Sequence, residues 1–166
     1  MVAMDDIVIQ LAQPGDARLI AEMSRDHIET GLGWRWQRAS IVEKIRDPDT
    51  NVITARREGE LLGFAIMNYA GFEAHLILFA VLPSHRRAGV GSALIRWLIA
   101  TAEVAGALVI YVELRKNNTI ARDFYHCLGF KLMEPLPGYY GGREAGIRMA
   151  LDLRRVLDAT ETPDKL

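Results

Sequence analysis

Apolar positions along this chain recur with two different periods, and the changes between them divide it into elements. Residues 7–12 alternate loosely and predict a first strand. Pro14 stands at a favoured helix start, and Leu19, Ile20, Met23 and His27 or Ile28 follow at helical spacing until Gly31 and Gly33 end the run. A loop over residues 31–38 carries two exposed-looking tryptophans, Trp34 and Trp36, before a short helix around residues 40–45. Residues 51–57 and 61–69 are strand-like and joined by Glu58-Gly59-Glu60, a turn of hairpin length, so they pair antiparallel. Residues 73–82 are more apolar still, are stopped by Pro83, and predict a central buried strand.

Helical spacing returns at Val90, Leu94, Trp97, Leu98, Thr101 and Val104, and Gly106 closes that helix. Residues 107–114 form another continuous apolar strand. Ile120, Phe124, Cys127 and Leu128 predict the core face of a helix capped at Gly129. Residues 130–133 and 147–153 predict a closing hairpin around a loop rich in proline and glycine. The order βαα-βββ-αβαβ-β implies an α/β fold, a mixed central sheet of about seven strands with helices on both faces.

With 166 residues and 50% hydrophobic content, the chain suits one domain over residues 1–153, followed by a polar tail at 154–166. A formal net charge of -1 offers no general attraction to nucleic acid or to an anionic membrane. Its apolar runs are too short or too interrupted by charge for a membrane span, and Asp5 and Asp6 precede the first of them where a leader would be basic. A cytoplasmic protein acting on small ligands is the expectation. Cys127 is the only cysteine, which rules out an intrachain disulfide and predicts buried filler. His27, His75 and His85 lack metal-ligand spacing and read as ordinary surface or packed histidines, so no metal is expected.

Chemistry begins where residues 81–92 run from a buried strand into a helix start. Gly89 and Gly91 let the backbone approach a ligand, the free amides of a first helical turn favour an anion, and Arg86 and Arg87 add positive charge. A pyrophosphate suits such a loop. The Gly-Lys-Ser/Thr of a P-loop is missing. A dinucleotide-binding reading has Gly89-x-Gly91 opening a helix and Glu113 near the place of a ribose-binding acid, but Leu94 stands at the third glycine and Pro83 to Arg87 intervene. The plainest alternative is a glycine turn that only caps a helix.

A second constellation spans residues 113–125. Asn118 and Tyr125 are seven residues apart, close to two helical turns, so both project from one side with the small Ala121 between them. Taken singly, Asn118 reads as a helix N-cap and Tyr125 as a half-buried packing residue.

Together these motifs resemble the GNAT acetyltransferases. Arg86-x-x-Gly89-x-Gly91 is similar to the family's coenzyme-A loop, and Asn118-x-x-Ala121-x-x-Phe124-Tyr125-x-x-Leu128-Gly129-Phe130 is similar to its second signature. Glu113, Asn118, Tyr125 and the pair Tyr139-Tyr140, with Arg143-Glu144 and Met149-Ala150-Leu151 following, most resemble the ribosomal-protein-alanine N-acetyltransferase branch. The likeness covers roughly residues 73–151. It departs from that branch in a shorter segment after the tyrosine pair, in Ala145-Gly146 where Asp-Ala is usual, and in the loop bearing Trp34 and Trp36.

The resemblance implies acetyl-CoA as co-substrate and a primary amine as acceptor, either a peptide or protein N-terminus or a small molecule. It implies that the backbone of Phe79, Ala80 and Val81 holds the pantetheine arm with Asn118, and that the amides of Arg87, Ala88, Gly89, Val90, Gly91 and Ser92 grip the pyrophosphate. Glu113 is then the base, directly or through water, and Tyr125 the acid for the leaving thiolate. Trp34, Trp36, Tyr139 and Tyr140 are the substrate-binding candidates. A lysine-like amine near ~10.4 costs roughly 4 kcal/mol to deprotonate at neutral pH, an α-amine near ~7.8 about 1 kcal/mol. A non-catalytic acyl-CoA-binding module would need neither Glu113 nor Tyr125, and a homodimer stays open.

Overall fold

A computed structural model describes residues 6–86 and 88–154. Arg87, one of the expected pyrophosphate contacts, and nearly all of the expected polar tail lie outside the described residues. The elements are β1 (Val8–Leu11), a 3-10 turn (Pro14–Asp16), α1 (Ala17–His27), α2 (Arg38–Arg46), β2 (Thr50–Arg57), β3 (Glu60–Ala70), β4 (Glu73–Val81), α3 (Val90–Val104), β5 (Val109–Arg115), α4 (Thr119–Cys127), β6 (Lys131–Tyr140) and β7 (Glu144–Asp152). The seven strands form one sheet in the order β1-β2-β3-β4-β5-β7-β6. β4 stands in the middle of that order, as its apolar sequence predicts.

Compact packing separates two units along the chain. In the first, α1 buries Ala17, Ile20, Ala21 and Ser24, the i, i+3, i+4, i+7 set of one helical face. That face meets Ile41 of α2 and Val52, Phe64, Ile66, Leu78 and Ala80 of β2, β3 and β4 in one cluster. Full burial of each such large side chain contributes about 1.5–3 kcal/mol. The opposite face of β3 turns toward α3: a Cβ built on Gly63 would meet Ala80 O at 2.7 Å and Leu94 Cδ1 at 3.3 Å. Gly63 thus lets the end of β4 and the first turns of α3 lie close against β3, and helices cover both faces here.

The second unit is built on antiparallel β5, β7 and β6. Buried Ile110, Val112 and Leu114 alternate with the less buried Tyr111, Glu113 and Arg115, so β5 has one core face and one polar face.

Several expectations are corrected here. The segment predicted as a proline- and glycine-rich loop is largely strand, because β6 runs on through Pro135 and Pro137. β6 ends the strand order, where no outer partner needs a proline N–H, and two register shifts absorb the irregularity. The face assigned to α4 is also wrong: Ile120 is 74% exposed and Cys127 is exposed, while Tyr125 is the residue that α4 buries. Tyr125 packs edge-on against Phe124 and Phe130, with ring centroids 5.3 and 5.4 Å away, and these aromatic contacts orient the short helix in place of an aliphatic stripe. Val104, counted on the apolar stripe of α3, is 90% exposed in its last position, whereas Val90, Leu94 and Leu98 are buried as predicted.

Candidate active site

β4 ends at Val81, and a 3-10 turn at Pro83–His85 carries the chain out of the sheet. The take-off is pinned by Leu82 N donating to Leu62 O at 2.8 Å. Arg86 folds back, its Nε donating to Val81 O at 3.4 Å. Gly89 has φ +83°, a left-handed conformation that costs a side-chain-bearing residue about 1–2 kcal/mol. Its carbonyl accepts from Ala93 N at 3.0 Å, which makes Gly89 the cap of α3 and leaves the amides of Val90, Gly91 and Ser92 without helical acceptors. Backbone donors therefore stand at one helix end, an arrangement that favours an anion. Phe79 is half-buried, and Ala80 and Val81 are buried at the end of β4.

The second group is a row of charges on the polar face of β5, β7 and β6. Strand register sets Arg148 opposite Glu113 and Glu134 opposite Arg148. Arg148 Nε donates to Glu113 Oε1 at 3.0 Å, and Arg148 Nη1 donates to Glu134 Oε1 at 2.6 Å. The other oxygen of Glu113 contacts His75 Nε2. Glu113 has a side-chain exposure of 7% and His75 one of 43%, so a buried carboxylate stands behind a half-exposed imidazole. Burial raises the Glu113 carboxyl, but the hydrogen bonds and charges of His75 and Arg148 together outweigh it and hold the group below the ordinary carboxylate range. It is ionised at neutral pH. Arg115, two residues along β5, pairs with Glu144 at 3.3 Å.

Tyr139 and Tyr140 sit beside this row in the β6–β7 hairpin, their ring centroids 5.0 Å apart, and Arg115 Cζ lies 5.6 Å from the Tyr140 ring. A Cβ on Gly146 would come within 3.0 Å of Tyr140 Cε2, which gives a steric reason for glycine there. Burial first, and the neighbouring charges second, push the Tyr125 and Tyr140 hydroxyls well above the ordinary phenol range. Asn118 is the N-cap of α4, its Oδ1 accepting from Ala121 N at 3.1 Å, a contact that contributes about 1 kcal/mol.

The tryptophans are more firmly held than their loop suggests. Glu29, which pattern reading passed over, is buried and accepts from Arg35 N at 2.7 Å, Trp36 N at 3.1 Å and Ser24 Oγ at 3.0 Å. Trp36 packs against the core cluster, while Trp34 stays 38% exposed with its Nε1 donating to Ala21 O and Trp36 O. Pattern reading also missed Arg148 and Glu134, which no local motif marks, and took His75 for an ordinary surface or packed histidine. Among the described residues, no three His, Cys, Asp or Glu side chains come together to hold a metal ion, and no helix is long and apolar enough to cross a membrane.

Residues 18–130 match the acetyltransferase (GNAT) family, and the chain belongs to that family. It is 31% identical over 126 residues to an N-alpha-acetyltransferase of Sulfurisphaera tokodaii, covering 68% of this chain and 75% of that protein. It is 36% identical over 100 residues to the ribosomal protein bS18-alanine N-acetyltransferase of Escherichia coli K12, covering 58% of this chain and 68% of that one. Among solved structures, Ard1 of Thermoplasma volcanium superposes with a TM-score of 0.78 at 27% identity, covering 89% of this chain and 97% of its own. A putative streptothricin acetyltransferase of Bacillus anthracis, solved in complex with acetyl coenzyme A, superposes with a TM-score of 0.61 at 25% identity over 66% of each chain. The protein is an acetyl-CoA-dependent N-acetyltransferase.

Proposed function

We propose that the acetyl acceptor is the α-amine of a protein or peptide N-terminus and that the Glu113–His75 pair takes its proton. The contact between Glu113 Oε2 and His75 Nε2 carries this reading. A carboxylate held below its ordinary range is a weak proton acceptor on its own, yet it orients an imidazole and stabilises the imidazolium formed when that ring accepts a proton. Glu113 therefore acts through His75.

Acetyl-CoA supplies the activated acetyl thioester. Arg86 and the backbone amides of residues 88–92 hold its pyrophosphate, with Arg87 adding charge, while the backbone of residues 79–81 and Asn118 hold its pantetheine arm. Tyr125 donates a hydrogen bond to the departing sulfur. An ordinary phenol near ~10 is already about 2 kcal/mol less willing to lose a proton than a thiol near ~8.5, and burial of Tyr125 widens that gap. Tyr125 thus stabilises the thiolate as a donor and keeps its own proton.

An α-amine suits this pair because it is about 3 kcal/mol easier to deprotonate at neutral pH than a lysine side chain. Relatives named as an N-alpha-acetyltransferase and as a ribosomal-protein-alanine N-acetyltransferase support the same class. Tyr139, Tyr140 and the exposed edge of Trp34 are the contacts we assign to the peptide, and the cytoplasm is the compartment this substrate implies. Matched peptides test it, one with a free N-terminus and blocked lysines, the other with the reverse. The first should be acetylated faster by at least tenfold. Faster reaction of the lysine peptide, or activity only on a small polyamine or antibiotic, would overturn the acceptor assignment.

A further inference from the structure

We propose that Arg148, braced by Glu134, is a positioning residue for Glu113, fixing the carboxylate so that one oxygen is left for His75. The inference rests on the reading of the Glu113–His75 pair given above. Its basis is a row of three residues in register on three strands, Glu113 of β5, Arg148 of β7 and Glu134 of β6. The guanidinium divides its donors between the two acids, Nε to Glu113 and Nη1 to Glu134. Two fixed directions hold the Arg148 plane, and that plane in turn holds Glu113 Oε1.

The backbone is shaped for this row. Leu132 pairs with Met149 and Glu134 with Arg148, so Met133 is an extra residue in β6. In an uninterrupted ladder Met133 would stand opposite Arg148. The bulge delivers a carboxylate there instead, the re-aiming that bulges beside functional groups perform. Met133 itself is 54% exposed, and nothing in its burial calls for the insertion.

Beside Glu113 stand His75, Arg148 and Tyr140, with Arg115 two residues along the same face of β5, and beside Arg148 stand Glu113, Glu134, Tyr139 and the ring of Tyr111, 5.9 Å from Arg148 Cζ. Arg148 is the permanent cation hydrogen-bonded to Glu113. Without it the buried carboxyl protonates at higher pH, because the hydrogen bond and charge of Arg148 no longer oppose burial. The sign follows: the parent's low carboxyl stays ionised at neutral pH and on mild acidification, whereas in Arg148→Met burial raises it, so the variant carries an unfavourable buried charge at neutral pH that it relieves by taking up a proton as pH falls.

The test compares Arg148→Met, Arg148→Lys, Glu134→Gln and Glu113→Gln for kcat against pH, acetyl-CoA KM, and urea stability at about pH 7 and about pH 5. Arg148→Met should lower kcat about tenfold near neutrality with acetyl-CoA KM within about twofold, and the loss should deepen toward acid pH. Its destabilisation should shrink toward acid pH, whereas a packing role would give the same loss at both values. Arg148→Lys should restore the parent's pH profile but only part of kcat, since an ammonium supplies the charge without the two-way fork. Glu134→Gln should lower kcat less than Arg148→Met and leave the acid limb where it is. A pH profile of Arg148→Met that superimposes on the parent's, or one that Arg148→Lys does not restore, overturns the positioning role. Full activity of Glu113→Gln instead removes the base reading itself, whatever Arg148 does.

Discussion

The glycine loop after β4 and the charged row across β5, β7 and β6 are built by opposite means. The loop works with backbone: a left-handed Gly89 and three first-turn amides, with Arg86 folded back over the strand end. The row works with side chains, a buried carboxylate held between an imidazole and a guanidinium. Backbone donors keep their chemistry whatever residues surround them, provided the chain can take the required path. Side-chain pairs keep theirs only while register, burial and counter-charge agree. Substitutions should therefore separate binding from turnover.

The largest effect is expected from Gly89→Asp. A side chain is strained at φ +83°, and a carboxylate at the phosphate position repels the ligand. The stabilisation that acetyl-CoA gives by mass action, about 2.7 kcal/mol at a hundredfold excess over Kd, should vanish from thermal melts of a still-folded protein. Normal coenzyme binding by this variant would remove the loop assignment. Tyr125→Phe should fall on the other side of the comparison, lowering kcat by about tenfold to a hundredfold while acetyl-CoA binding stays within about twofold. An unchanged kcat would hand the sulfur's hydrogen bond to another donor. The smallest effect is expected at Cys127, where exposure makes Cys127→Ser worth no more than about 0.5 kcal/mol in urea unfolding. A loss of 2 kcal/mol or more would instead support the buried cysteine that the helical pattern predicts.

The two regions also differ in how far the sequence reveals them. Arg86, Gly89 and Gly91 lie within six residues of one another between a strand and a helix, so the loop can be read locally. The hairpin at Glu58-Gly59 is likewise a local signal, and the structure follows it, whereas β5, read as a continuous apolar strand, alternates between a core face and a polar face. The row around Glu113 depends on which residues of distant strands face each other. Glu113 is legible through its likeness to a family motif, but His75, Arg148 and Glu134 become its neighbours only through sheet register and the bulge at Met133. α4 shows a different difficulty. Ile120, Phe124 and Cys127 have helical spacing, yet a nine-residue helix presents too few turns for period alone to choose its buried side, and Tyr125 wins by aromatic packing. Glu29 is illegible for a related reason, because a buried glutamate that gathers two loop amides looks in sequence like any polar residue after a helix.

Pro135 and Pro137 in β6 reach beyond this enzyme's chemistry. An outermost strand with open backbone donors and acceptors is a template on which other chains can stack, and β6 also exposes Leu132, Met133 and Tyr139. Two prolines remove two N–H groups from the strand. Proline in an outermost strand discourages edge-to-edge pairing, so β6 is a poorer template for an added strand than its exposed apolar residues suggest.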